Sequence, residues 1–154
     1  MAFDVTATLK QVASHVSAGR YAHAVVIGEP VVPPEADTDK IFVAIYMLRD
    51  FVAALSLNGG TIELHLVMLR CYYQMLQEPV EGMELGLANA VSNIKQDLVE
   101  DADLGANIRN IDVGGQYGQS VATEYGHLDQ SGILFRVADI MLPLIVDDSA
   151  TAAL

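Results

Sequence analysis

The chain has 154 residues, of which 52% are hydrophobic, with a mean hydropathy of +0.33 and a formal net charge of −12. With 20 acidic against 8 basic residues, it lacks the clustered Lys and Arg that binding to nucleic-acid phosphates requires. No window reaches the roughly 18 consecutive apolar residues of a membrane span, so the apolar surplus points to subunit interfaces.

The opening Met-Ala-Phe-Asp-Val-Thr has no basic region leading into an apolar run and is not read as a signal peptide. Residues 3–18 carry Val5, Leu9, Val12 and Val16 at three- and four-residue spacing, which predicts a helix. Asp4 or Thr6 suits its N-cap, and Gly19 its end. Tyr21 to Ile27 reads as an apolar strand. Pro30, Pro33 and Pro34, interleaved with acids, then mark a solvated loop.

Residues 41–57 are ambiguous. Ile41 to Leu48 suits a buried strand, yet Ile45, Leu48, Val52 and Leu55 also fit a helical stripe. A strand over 41–48 followed by a loop or irregular ribbon is the favoured reading. Asn58-Gly59-Gly60 signals a turn. Ile62, Leu64, Leu66 and Met68 then alternate with Thr61, Glu63 and His65. That predicts a strand running to Tyr73 with one wet face, on which His65 lies. Pro79 breaks it.

The second helix is the clearest element. Val80, Met83, Leu87, Val91, Ile94 and Leu98 form its stripe over about residues 80–103, although Gly82 and Gly86 allow a start nearer Leu85. Ile108 to Val113, Gln119 to Tyr125 and Ile133 to Val146 complete the β content, with Asp129-Gln-Ser-Gly132 as the turn between the last two. Strands arriving in runs, separated by helices, indicate an α+β fold: a mostly antiparallel sheet with two main helices on one face. Residues 1–148 read as one domain and 149–154 as a disordered tail. Residues 29–40, 49–60 and 114–119 are the candidate flexible loops.

Few residues invite chemistry. His15, His23, His65 and His127 show no metal-ligand spacing, so no metal is expected. Gly114-Gly115-Gln116-Tyr117-Gly118 resembles a phosphate loop but is followed by β signals rather than a helix, so a hairpin tip is expected instead. Cys71 rules out an internal disulfide, fits a reducing cytoplasm and reads as a buried inert thiol. No catalytic or cofactor-binding constellation stands out. Asp97, Glu100, Asp101 and Asp103 crowd the end of the second helix, where acids oppose the helix dipole. They read as a solvated helix end, as a cation site or as a rim that repels DNA.

Four segments resemble the tail terminator proteins of long-tailed actinobacterial phages. They are Arg70-Cys-Tyr-Tyr-Gln-Met-Leu-Gln-Glu-Pro79, Asp103-Leu-Gly-Ala-Asn-Ile-Arg-Asn-Ile-Asp-Val-Gly-Gly115, Glu124-Tyr-Gly-His-Leu-Asp-Gln-Ser-Gly132 and Phe135-Arg-Val-Ala-Asp-Ile-Met-Leu-Pro-Leu-Ile-Val-Asp-Asp148. Met75-Leu-Gln-Glu-Pro79 is the most distinctive piece, and the resemblance covers about residues 60–148. It implies a non-enzymatic virion subunit, assembled in the host cytoplasm. Six copies would ring the head-proximal end of the tail tube, stop its polymerisation and offer a surface to the head. Its implied partners are further copies of itself, the tail tube protein and a head-completion or connector protein. DNA would pass through the channel without specific binding. Asp101, Asp103 and Asp129 are the candidate lumen-facing acids. Another head–tail junction protein, or a small α+β ligand-binding module or enzyme, stays open as an alternative.

Overall fold

The computed structural model describes residues 3–19, 22–29, 41–57, 59–74, 80–130 and 132–148. The expected loop over 30–40, Asn58, the Met75–Pro79 segment and the tail 149–154 lie outside the described residues. Chain order is α1 (Val5–Ala18), β1 (Ala22–Ile27), β2 (Ile41–Leu55), β3 (Thr61–Gln74), α2 (Val80–Glu100), β4 (Asn110–Ile111), β5 (Ala122–Gln130) and β6 (Ile133–Asp148).

One curled sheet holds all six strands in the order β1-β2-β3-β6-β4, with β5 also on β6. Every pairing is antiparallel except β1 with β2. The fold is α+β, as the strand grouping implied. β3 is the central strand. It pairs with β6 along its whole length, from Thr61 opposite Asp148 to Gln74 opposite Phe135, and with β2 from Thr61 to Tyr72.

Both helices pack on the same sheet face. α1 is capped by Asp4, whose Oδ1 accepts from the Ala7 amide at 3.0 Å. It buries Leu9, Val12 and Val16, and α2 buries Met83, Leu87, Val91, Ile94 and Leu98. These meet Val43 and Ile45 of β2, Val67, Leu69 and Cys71 of β3, and Ile140, Leu142 and Leu144 of β6. The opposite, helix-free face is also apolar. Phe42, Tyr72, Phe135 and Val137 form one buried cluster there, and Leu64, Leu66 and Ile145, covered by Tyr117, form another. Apolar residues on both faces explain the unbroken runs in β3 and β6.

Five expectations need correction. β2 does not stop at Leu48 but runs to Leu55 and turns back through Ser56–Gly60. Its register shifts between Met47 and Arg49 and again between Val52 and Ala54. Each bulge adds one residue to a period of two. That converts an alternating pattern into the three-four-three spacing of Ile45, Leu48, Val52 and Leu55, which imitates a helix. The second helix ends at Glu100, not Asp103, because residues 101–107 form a tight turn.

His65 is not on a wet face. It is only 7% exposed, on the face that continues under the helices, with the Phe3 ring tilted at 44° and its centroid 4.4 Å away. The glycine-rich stretch is not a hairpin tip either. β4 and β5 both run antiparallel to β6 on its same edge, at Leu144–Ile145 and at Ile133–Met141. Residues 112–121 are thus an excursion that interrupts one strand line. Pro143, which has no N–H to offer a ladder, sits at the gap. The expected strand over 108–113 shrinks accordingly to Asn110–Ile111.

Candidate functional site

The three acids singled out by sequence are not brought together. Asp101 and Asp103 lie in the turn after α2, beside β4, since the Ile111 amide donates to the Ala102 carbonyl at 2.7 Å. Asp129 stands at the β5–β6 turn, opposite Leu134. Ten residues of β6 separate Leu134 from Leu144, the partner of Ile111. At about 3.3 Å per residue, the two acid groups stand roughly 33 Å apart along the strand.

Their environments also differ. Asp103 is exposed, and Asp129 Oδ1 accepts from the Gly132 amide at 3.2 Å. Asp101 is a staple between the helices. It accepts from His15 Nε2 at 2.7 Å, from Gln11 Nε2 at 3.0 Å and from the Gly105 amide at 3.1 Å. The bonds from His15 and Gln11 push its carboxyl down to about 2, below its ordinary 3.8. The folded pKa is depressed, so this contribution is present above about pH 4 and is lost as pH falls towards 2. Solvent reaches the pair, which limits the contribution to roughly 1 kcal/mol. Thermal melts should show the wild-type chain losing more stability than Asp101→Asn between pH 4 and 2. Parallel losses would remove Asp101 from the α1–α2 contact.

The helix-free face has a polar centre that sequence reasoning missed. Arg70 of β3 grips Asp139, directly opposite on β6, through Nε–Oδ1 at 2.7 Å and Nη2–Oδ2 at 3.1 Å. Glu29 approaches Arg70 Nη1 at 3.9 Å. The Asp139 carboxylate holds the guanidinium more firmly protonated than usual, while burial pushes the Tyr46 and Tyr72 hydroxyls up. This fork pins the β3–β6 register between apolar rows. Alternation within each strand does not relate the two residues; the β3–β6 register makes them opposite.

Cys71 is fully buried, and burial pushes its thiol up to about 12, which leaves it inert. Among the described residues, no group of His, Cys, Asp or Glu is placed to hold a metal ion. No helix among them is long and apolar enough to cross a membrane.

What the structure does bring together is exposed apolar surface, on two opposite margins. On the β1–β2 side, Val26 and Ile27 are followed by Leu48, Val52, Leu55 and Leu57, with Leu55 79% exposed. On the β4–β5 side lie Val113, Tyr125 and Leu134. Leu85 of α2 joins them, next to Glu84, whose carboxylate holds Arg136 at 3.0 and 3.1 Å. Arg136 in turn lies 5.7 Å over the Tyr125 ring. The margins differ in shape and chemistry: one is a strand edge with a hairpin tip, the other a helix end beside an aromatic ion-pair cluster. No protein-family model matches this chain, and no curated protein matches it by sequence.

Proposed function

We propose that the chain is a structural subunit of a phage virion, a tail terminator that closes as a ring on the head-proximal end of the tail tube. The observation that carries the reading is the pair of unlike apolar margins on opposite sides of one sheet. A self-matching patch closes at two copies. Unlike patches make a head-to-tail contact that repeats from copy to copy and closes only when its rotation divides a full turn. Surplus apolar surface of this kind marks an interaction site.

The resemblance of residues 60–148 to tail terminators supplies the number six and the partners: the tube protein on one side of the ring and a head-completion or connector protein on the other. A charge of −12 on each copy suits a channel through which DNA passes without adhering. Asp103 and Asp129, which have no cationic partner among the described residues, are the better candidates for its wall. Asp101 is already engaged between the helices.

Native mass spectrometry of the purified chain, alone and with purified tail tubes, tests the reading. A hexameric ring, formed alone or on tube ends, is the expected result. A chain that stays monomeric alone and leaves tube growth unchecked overturns it. In virions, Asp103→Lys or Asp129→Lys should slow genome ejection, and unchanged ejection kinetics would remove those residues from the channel.

A further inference from the structure

We infer that neighbouring copies join strand edge to strand edge: the outer edge of β2 beyond Ile45 in one copy pairs with β5 of the next, and an Arg49–Glu124 ion pair selects these edges. This rests on the ring reading above and says how its junctions are built.

Both edges lack a ladder partner among the described residues. β1 covers β2 only as far as Ile45, where Ile27 is its last partner. Tyr46–Leu55 then has β3 on one side and no strand on the other. β5 has β6 on one side and no strand on the other. The open stretch of β2 is ten residues long and β5 is nine. Each exposes a row of backbone N–H and C=O groups that another strand can satisfy.

Charge decides which edges meet. Arg49 is exposed at the β2 edge and makes no ion pair among the described residues, its guanidinium lying 5.0 Å over the Phe51 ring. Glu124 is exposed on β5 and likewise has no cationic partner there. Both project on the helix-free face. Arg49 stands opposite Leu66, and Glu124 opposite Asp139, whose own partner Arg70 lies among that face's residues. A sheet continued across the junction keeps its faces, so the two charges arrive on the same side. On the other face the two edges carry exposed apolar residues, Val52 opposite Glu63 and Tyr125 opposite Ala138.

The alternatives are disfavoured by the same residues. A β2–β2 junction sets Arg49 near Arg49, and a β5–β5 junction sets Glu124 near Glu124. Like charges across an interface suppress those pairings. Both would also close at two copies, whereas β2–β5 repeats.

Charge exchange tests this. Arg49→Glu gives a copy with two acidic edges, and Glu124→Arg a copy with two basic ones. Each alone should weaken self-association by about tenfold or more per junction, read by native mass spectrometry and sedimentation. The double variant restores unlike edges. An equimolar mixture of the two single variants should also assemble, with the variants alternating around the ring. Rescue by mixing excludes misfolding as the cause. If the wild-type chain forms rings and both single variants do so equally well, the edge pairing is wrong and the ring reading survives. If the wild-type chain stays monomeric with and without tube ends, both fall.

Discussion

Replacing Asp112 by Ala lowers the unfolding free energy by about 3 kcal/mol, the loss expected for two charge-assisted hydrogen bonds. Asp112 is only 3% exposed. Its Oδ1 accepts from the Gln116 amide at 2.7 Å and its Oδ2 from the Tyr117 amide at 3.0 Å. Its own amide donates to the Pro143 carbonyl at 2.9 Å. The carboxylate is thus the hub around which residues 112–121 fold before the chain rejoins the edge of β6. Gly115 (φ +74) and Gly118 (φ +95) supply the left-handed turns that let the backbone wrap so tightly.

Removing the hub releases Tyr117, which covers Leu64, Leu66 and Ile145 on the helix-free face. A chain of this size shifts by roughly 2–4 °C per kcal/mol, so the melting temperature should drop by roughly 6–12 °C. Asp112→Asn, with a single acceptor oxygen, should lose about half as much. Hydrogen exchange at Gln116 and Tyr117 should accelerate in both variants, more in Ala than in Asn. An Ala variant that melts with the wild type would show that the loop does not depend on this carboxylate. Because the loop sits on the β4–β5 margin beside Val113, its loss should also weaken assembly.

Particular residues show which parts of this fold could be read from the sequence. The α2 stripe Met83, Leu87, Val91, Ile94 and Leu98 is buried throughout, because a helix laid on one sheet face buries one stripe. Leu9, Val12 and Val16 of α1 behave likewise, while Val5, on the same stripe, stays 41% exposed at the helix start. β6 was legible as an apolar run because both its faces are covered. β2 misled because two bulges reset its alternation, and no local signal separates a bulged strand from a helical stripe over so few residues.

His65 misled for a different reason. Its burial depends on Phe3, 62 positions earlier in the chain, and a long-range lid leaves no mark on local alternation. In Asp112-Val-Gly-Gly-Gln-Tyr the glycines drew notice, but the acid before them organises the loop. An Asp followed by a glycine turn is a side-chain-to-backbone signature that could have been read. The two assembly margins were legible only as an apolar surplus. Their division between opposite sides of the sheet is a property of strand order, which composition does not carry.

Leu104 should show an inverted order of substitution: Leu104→Gly more stable than Leu104→Ala. Leu104, Gly105 and Ala106 have φ of +47, +67 and +66, three consecutive left-handed residues. Leu104 is nonetheless fully buried in the core beneath the helices. Its side chain therefore offsets a backbone conformation that costs an L-residue roughly 1–2 kcal/mol. Truncation to Ala removes the burial and keeps the strain, costing about 3 kcal/mol. Gly gives up one further buried carbon, the Cβ, but relieves the strain, against roughly 0.5–1 kcal/mol of added backbone entropy in the unfolded chain. The balance leaves Gly ahead of Ala by up to about 1 kcal/mol, where a helix interior would put it behind. Urea melts of the two variants decide this, and Ala ahead of Gly would mean that residue 104 is not left-handed in solution. The turn matters beyond its own energy. By reversing the chain after α2 it presents the Gly105 amide to Asp101 and the Ala102 carbonyl to Ile111. The same reversal that places Asp101 between the helices thus starts the strand line carrying the β4–β5 margin. A loosened turn should cost assembly as well as stability, and more of both in the Ala variant than in the Gly variant.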